Sequence, residues 1–308
     1  MIKNYFFLIL KGIGMGAANI IPGVSGGTIA LITGVFERLI DAIKSFNLTA
    51  LKLLLNWKIK DLIKHIDLYF LIAVFGGAVI SVFTLAFLLK YLFEHYEVQV
   101  LAYFFGLIMA SVYFVGRTIE KWNTGVIITF VIGTAIAVLI SVMNPATQND
   151  SFLYLIICGV VAICSMILPG LSGSYVLLLM GNYQLVMLDA VSDLNLKILL
   201  PVIIGAVGGL IAFSHFLSWV YKKYKNQTIA TLSGFILGSL AVIWPWKVNI
   251  YAKDEMGDLI IKDGEKIIQG WERYLPELNM SFIWAIAFVI LGILTIWVIE
   301  KLAARQNG

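Results

Sequence analysis

Charged residues, histidine and cysteine are scarce in this 308-residue chain. Only 13% of the residues are charged, whereas a soluble domain carries about 25%. The 3 histidines (His65, His95 and His215) do not cluster, and neither paired carboxylates nor a metal-ligand spacing accompany them. The 2 cysteines, Cys158 and Cys164, lie in one apolar run, where a buried thiol is expected rather than a disulfide. The sequence therefore predicts no metal, no cofactor and no catalytic residues.

Hydrophobic residues, in contrast, make up 60% of the chain and form long runs. About 20 consecutive apolar residues cross a hydrocarbon core of about 30 Å. The runs predict an all-α polytopic membrane protein, and Lys11 interrupts the first of them too early for a cleavable signal peptide. The predicted apolar segments are residues 5–21, 23–43, 69–93, 98–116, 124–143, 152–168, 170–190, 200–221, 229–246 and 282–300.

The distribution of lysine and arginine over the short loops predicts the orientation of the chain in the membrane. Residues 44–64 hold five lysines and one aspartate, and residues 117–121 and 222–225 are also basic. The predicted loop at residues 94–97 is acidic. We therefore expect the basic loops and both termini on the cytoplasmic side, and the acidic loop outside. The net charge of +4 reflects this orientation, so we expect no nucleic acid partner.

Two further segments differ from the apolar runs. Residues 48–66 mix leucines, isoleucines and Trp57 with lysines, which predicts an amphipathic helix at the inner membrane surface, close to anionic lipid. Residues 247–280 hold 12 of the 40 Lys, Arg, Asp and Glu residues of the chain. We expect a solvated external loop there, with a small hairpin around Asp263-Gly264.

The sequence also repeats internally. Ile21-Pro-Gly-Val-Ser-Gly-Gly27 aligns with Leu168-Pro-Gly-Leu-Ser-Gly-Ser174, Gly34 aligns with Gly181, and Gly106 aligns with Gly234. Together with the loop charges, this predicts two inverted-topology repeats, residues 1–143 and 144–308. Each repeat would hold a helix pair broken at Pro-Gly, re-entrant or fully spanning, followed by three transmembrane helices. Repeats of opposite topology are typical of secondary transporters, whose substrate sites lie near the midplane at discontinuous helices.

The two Pro-Gly breaks have a chemistry of their own. Proline donates no backbone hydrogen bond, and the first N–H groups of the helix that restarts after each break have no partner within it. Such N–H groups, with nearby hydroxyls, attract an anion. The alternative is a pair of kinks with glycine for tight helix packing. The candidate substrate-binding residues at the breaks are Asn19, Pro22, Gly23, Ser25, Gly26, Gly27, Thr28, Pro169, Gly170, Ser172, Gly173, Ser174 and Tyr175.

Four ionisable residues are further candidates. Glu37 and Arg38 follow the first break, where they either anchor a helix end at the membrane surface or act in transport, Glu37 by taking a proton and Arg38 by binding phosphate. Arg117 ends a predicted span, as positive-inside anchors do, and is a weaker phosphate-binding candidate. His215 lies within an apolar span, where it is a candidate for proton coupling or a partner of a neighbouring helix.

The first break and its flanks resemble a known family. Gly16-Ala-Ala-Asn-Ile-Ile-Pro-Gly-Val-Ser-Gly-Gly-Thr-Ile-Ala30, followed by Gly34-Val-Phe-Glu37, is similar to the opening of the bacterial polyprenyl-phosphate transporters, and Leu168–Ser174 resembles the second copy of their motif. The resemblance implies a multi-pass protein of the bacterial cytoplasmic membrane. It also implies a secondary transporter or flippase that returns undecaprenyl phosphate to the inner leaflet, with membrane lipids as partners and proton or ion coupling as an open question.

Other functions remain to be weighed. A transporter of a small soluble anion would use the same donor-rich breaks, and the sequence does not separate it from a lipid transporter. A membrane lipid phosphatase would need a catalytic cluster, which the sequence does not provide. A structural scaffold would give no reason for two intramembrane breaks. The sequence gives neither the coupling ion nor the oligomeric state.

Overall fold

A computed structural model describes residues 2–20, 26–143, 145–251, 261–262, 265–266 and 268–307. These residues are mostly helical. The helices of the first half are α1 (Ile2–Ile20), α2 (Gly26–Ile32), α3 (Phe36–Lys44), α4 (Leu48–Leu55), α5 (Ile59–His65), α6 (Leu68–Gly116) and α7 (Thr124–Val142). Those of the second half are α8 (Phe152–Ile167), α9 (Gly173–Leu179), a π-helix (Gln184–Asp189), α10 (Ala190–Ser192), α11 (Leu196–Lys223), α12 (Lys225–Ser239) and α13 (Met280–Asn307).

Several of these helices are long and apolar enough to cross a membrane. Within the described residues there are 4 such helices, or 5 when Ile59–His65 and Leu68–Ser81, which meet at 62°, count as one broken span. The predicted polytopic, helical fold is therefore confirmed. The 4 spans are His95–Gly116, Thr124–Val142, Leu196–Lys223 and Met280–Val298.

The second helix of each Pro-Gly pair is shorter than predicted. The sequence predicts single helices over residues 23–43 and 170–190, but both end early, at Gly34 (φ 71°) and Gly181 (φ 73°). In each case the glycine N–H and the next N–H donate back to carbonyls of the last helical turn. This pairing is a Schellman motif, which glycine favours because it adopts a left-handed conformation without steric cost. The two motifs occupy aligned positions of the two repeats.

Two more segments differ in detail from the sequence prediction. The predicted break at the acidic residues 94–97 is present as a kink between two helical segments of α6, since Tyr96 leaves helical geometry there (φ −140°, ψ 37°). The segment after the kink is the span His95–Gly116, so two spans are joined here by a kink instead of a loop. The predicted amphipathic helix 48–66 is two short helices, α4 and α5, because the backbone turns at Trp57 (φ 55°).

The described chain forms two compact units. The first contains residues 1–91 and 111–242, and the second contains residues 92–110 and 243–308. A cluster of buried apolar residues from α1, α3, α6, α7 and α12, including Phe36, Phe70 and Leu232, forms the core of the first unit. The predicted division into repeats at residues 143 and 144 remains a prediction.

The second unit contains the predicted external loop. Its buried core includes Ala102, Trp246 and Ala285. Strand β1 (Lys247–Tyr251) pairs antiparallel with β4 (Ile268–Arg273). Strands β2 (Ile261–Lys262) and β3 (Glu265–Lys266) also pair antiparallel, as a hairpin requires, while Asp263 and Gly264 themselves lie outside the described residues.

Glycine contacts repeat between the halves of the first unit. Four glycines lie so close to a facing helix that an added Cβ would overlap a backbone carbonyl group. The pairs are Gly12 with Val74, Gly77 with Ile9, Gly159 with Val202, and Gly205 with Ile156. All four pairs fall at aligned positions, so α1 packs on the start of α6 as α8 packs on α11. Gly209 is also in close contact, whereas the sites of Gly76 and Gly208 are open.

The last helix of each half packs on the other half. An added Cβ at Gly106 of α6 would overlap Val289 of α13, and one at Gly234 of α12 would overlap Phe130 of α7. Gly106 and Gly234 are aligned in the repeat. In return, Gly292 of α13 contacts Tyr103, and Gly133 of α7 contacts Thr231. The third predicted span of each half therefore packs on the other half, and we call these two helices the exchanged third spans. The matching arrangement supports the internal repeat.

Candidate functional site

The second Pro-Gly break lies in the protein interior. Helix α8 ends at Ile167 and α9 begins at Gly173. Pro169 and Gly170 between them are buried. Gly170 has a φ of 84°, and an added Cβ would meet the backbone of Phe235 in α12. A larger residue at position 170 would therefore be strained in its backbone and would collide with α12.

A hydrogen bond joins α2 to the second break. The backbone N–H of Gly170 donates to the Thr28 hydroxyl, with 2.9 Å between nitrogen and Oγ1. Thr28 belongs to α2, directly after the first break, and is 1% exposed. An unsatisfied N–H in hydrocarbon costs several kcal/mol, so this bond stabilises the broken backbone. The residues that the sequence predicts to meet are in contact here.

Asn19 caps the helix that follows the first break. Its side-chain Oδ1 accepts a hydrogen bond from the N–H of Gly26, at 2.7 Å. Gly26 and Gly27 are buried in the first turn of α2. An added Cβ at Gly26 would press on the Asn19 amide. Asn19, a substrate-binding candidate from the sequence, therefore caps α2 in this structure.

The corresponding place in the second break is apolar. There Gly173 faces the side chain of Met166 instead of an amide. Ser172 is the N-cap of α9, and its hydroxyl lies 2.9 Å from that of Ser174 and 3.5 Å from the backbone nitrogen of Tyr175. The Tyr175 hydroxyl donates to the carbonyl of Ile140 in α7. The hydroxyl groups of the second break therefore occupy different positions from Asn19 and Thr28 of the first.

Part of the predicted site cannot be placed. Pro22, Gly23 and Ser25 lie outside the described residues. Their role in substrate binding remains a prediction.

Glu37 and Arg38 line a cavity after the first break. The cavity has a volume of about 460 Å³, and Asp41, His65 and Asp67 also line it. Both Glu37 and Arg38 are exposed residues of α3. The Arg38 guanidinium forms an ion pair with Asp67 at 2.7 Å. Lys222 of α11 pairs with Asp41 at 2.7 Å.

Arg117 and His215 have contacts within their own helices. Arg117 is exposed at the end of α6, with its guanidinium 5.8 Å from the centre of the Tyr113 ring. This position fits a positive-inside anchor. His215 uses Nδ1 to donate to the carbonyl of Ile211 in its own helix, at 2.8 Å. The roles of the two residues in binding and proton coupling remain predictions.

The structure adds residues that the sequence reasoning missed. Lys11 of α1 donates from Nζ to the carbonyl of Thr33, at 2.7 Å, and so stabilises the end of α2. The signal in the sequence was a lysine inside an apolar run. Ser218 of α11 donates to Asp41 at 2.9 Å. No sequence signal links these two residues, because they come from different halves of the chain.

The fold and this site define a class of protein. It is a polytopic helical membrane protein in which Thr28 of α2 meets the second Pro-Gly break inside the protein, and discontinuous helices of this kind are typical of secondary transporters. No group of three or more His, Cys, Asp or Glu residues that could hold a metal ion is found among the described residues.

Comparison with known proteins identifies the family. The chain belongs to the VCA0040-like, undecaprenyl phosphate translocase-like family, whose profile matches residues 15–260. A polyprenyl-phosphate transporter of Vibrio cholerae is 43% identical over 250 residues, which cover 80% of this chain and 80% of that relative. A polyprenyl-phosphate transporter of Staphylococcus aureus is 30% identical over 266 residues, covering 77% of this chain and 85% of the relative. No solved structure gives a significant match.

Proposed function

We propose that this protein is a polyprenyl-phosphate transporter, as its family and its two named relatives indicate. More specifically, it moves undecaprenyl phosphate across the bacterial cytoplasmic membrane as a secondary transporter, or flippase, and so recycles the cell-envelope lipid carrier. Both termini lie in the cytoplasm, as the basic loops suggest. The protein acts without catalytic residues, since transport changes no covalent bond.

The observation that carries the site proposal is the hydrogen bond between Gly170 and Thr28. The polyprenyl tail stays in the lipid while the phosphate passes between the two breaks. The Thr28 hydroxyl holds the Gly170 N–H when no phosphate is bound, and a phosphate oxygen replaces it during passage. A neutral donor of this kind binds an anion without holding it as a fixed cation would. Ser172 and Ser174 add hydroxyl donors beside it.

Glu37 is the better placed of the two proton-coupling candidates. It is exposed on the lining of the 460 Å³ cavity. His215 instead forms a hydrogen bond within its own helix. We propose that any proton exchanged during transport is carried by Glu37.

The experiment that tests this proposal measures lipid movement. Purified protein is placed in liposomes that contain undecaprenyl phosphate, and a membrane-impermeant phosphate-binding probe reports exchange between leaflets. Thr28→Val keeps the shape of the side chain but removes the acceptor for the buried N–H, so we expect transport to fall at least several-fold. Thr28→Ser keeps the hydroxyl and is the matched control, with near wild-type transport.

Two outcomes would contradict the proposal. Transport by Thr28→Val at the wild-type rate would remove the hydroxyl from the mechanism. A wild-type protein that moves no lipid, with or without a proton gradient, would make a small soluble anion the better substrate, and uptake of inorganic phosphate would then be measured.

A further inference from the structure

The ion pair between Arg38 and Asp67 has the geometry of a carboxylate bound by a guanidinium fork. Arg38 Nε donates to one carboxylate oxygen at 2.7 Å, and Nη2 donates to the other at 3.1 Å. The guanidinium also lies over the ring of Phe70, 4.3 Å from its centre. Phe70 is fully buried and fixes the plane of the guanidinium. The fork is therefore oriented for a planar pair of oxygens, which a phosphate group presents as well as a carboxylate does.

The side chain of Asp67 does not cap α6, although an aspartate just before a helix commonly forms such a cap. It is the residue before α6, where its side chain would normally accept a hydrogen bond from the first turn. No such capping bond is formed, and the backbone of Asp67 is left-handed (φ 50°, ψ 46°). The bend of 62° between α5 and α6 lies at this residue. The Asp67 carboxylate therefore binds Arg38 instead of capping α6.

The pair is accessible to a ligand. The side chains of Arg38 and Asp67 are 51% and 38% exposed, and both line the 460 Å³ cavity. An exposed ion pair is weak because water screens it. On the same lining, Asp41 is already paired with Lys222. Glu37 adds a negative charge that opposes tight retention of an anion, which suits a group that must leave again.

We propose that the Asp67 carboxylate and the phosphate of the substrate bind the same guanidinium fork of Arg38 in turn, the phosphate replacing the carboxylate during transport. This exchange rests on the proposed function. The phosphate displaces the carboxylate from the fork, while Phe70 keeps the guanidinium in position. Release of the phosphate lets Asp67 return. Asp67 is thus a positioning residue that sets how strongly Arg38 binds phosphate.

The first test measures binding of polyprenyl phosphate to the purified protein in lipid nanodiscs. Asp67→Asn removes the competing charge, and we expect binding to become about two- to five-fold tighter, as loss of an exposed ion pair predicts. Asp61→Asn, an exposed carboxylate of α5, is the matched control and should bind as the wild type does. Arg38→Lys cannot form the fork and should bind more weakly. Adding Asp67→Asn to Arg38→Lys should then bring no gain.

A second variant guards against a folding defect. Glycine accepts the left-handed backbone of residue 67, so Asp67→Gly should fold and should also bind more tightly. If the wild type binds polyprenyl phosphate and both Asp67 variants bind it with the same affinity, the exchange is refuted and the transport function stands. If the wild type neither binds nor moves the lipid, both proposals fall.

A parallel titration with inorganic phosphate distinguishes binding of any phosphate group from binding of the lipid headgroup alone. If both Asp67 variants also bind inorganic phosphate more tightly, the fork recognises the phosphate group whatever carries it. If only polyprenyl phosphate shows the gain, the exchange is specific to the lipid headgroup.

Discussion

At the scale of single residues, three polar side chains each satisfy a backbone group inside an apolar protein. Thr28 accepts from Gly170, Asn19 accepts from Gly26, and His215 donates to a carbonyl of its own helix. In a membrane, loss of such a bond is costly, because no water is present to satisfy the backbone group. A substrate that takes over the N–H of Gly170 or Gly26 must offer an equivalent acceptor, as a phosphate oxygen does.

Lys247 gives a prediction about pH. Burial, opposed by Glu97 and assisted by Arg273, lowers the pKa of Lys247 from 10.5 to about 8. Between pH 8 and 10.5 the unfolded chain therefore binds more protons at this residue than the folded chain does, so the free energy of unfolding should rise with pH. We expect this rise to be smaller in Lys247→Met. The measurement is denaturant unfolding at several pH values, followed by tryptophan fluorescence.

The exposed Lys121 supplies the control for this measurement. The free energy of unfolding of Lys121→Met should depend on pH as that of the wild type does, since Lys247 is intact in this variant. An equal slope in the wild type and in Lys247→Met would show that the lowered pKa of Lys247 does not contribute.

Residue-level prediction from the sequence is most informative where the partners are close in the chain. Asn19 precedes Gly26 by 7 positions, and its place before the break marks it as a candidate, although the capping contact itself comes from the structure. Asp67 is 29 positions from Arg38, and its left-handed backbone follows from the bend between α5 and α6. A contact of that kind depends on tertiary structure, which a single sequence does not reveal.

At the scale of helices, glycine has two separate roles in this protein. Gly34 and Gly181 end helices, whereas Gly77 and Gly205 let facing helices approach to backbone contact. The sequence predicted breaks at Pro-Gly because proline has an unambiguous effect. It did not predict the helix ends at Gly34 and Gly181, since a glycine in an apolar run can either end a helix or allow close packing. The turn at Trp57 was missed because a tryptophan carries no turn signal.

The packing role can be tested with neighbouring glycines. An alanine at Gly77 or Gly205 would overlap the facing backbone, so we expect each substitution to lower the free energy of unfolding by about 1–3 kcal/mol. Gly76→Ala and Gly208→Ala are matched controls, because their sites are open. Alanine is the better helix former there and should stabilise by about 0.5–1 kcal/mol. Unfolding in mixed detergent micelles measures all four, and equal effects at packed and open sites would contradict the packing role.

At the scale of the whole molecule, the exchanged third spans make the two halves depend on each other. Helix α7 of the first half packs on α12, and α13 of the second half packs on residues 103–106 of α6. Both compact units therefore contain residues from both halves.

This exchange predicts how a divided protein behaves. Residues 1–143 or 144–308 produced alone should be degraded or aggregate, because each leaves two helix faces uncovered. Produced together, the two fragments should associate and co-purify through an affinity tag on one of them. A single half that is monodisperse and helical in detergent would show that the exchanged contacts are dispensable.

The exchange also determines when the second unit can be completed during synthesis. Residues 92–110 enter the membrane early, but α13, the helix that covers them, is translated only after the intervening spans. The intervening spans are all translated while that face has no partner. Completion of this unit therefore waits for α13, and a premature stop codon before α13 leaves an early helix unpaired.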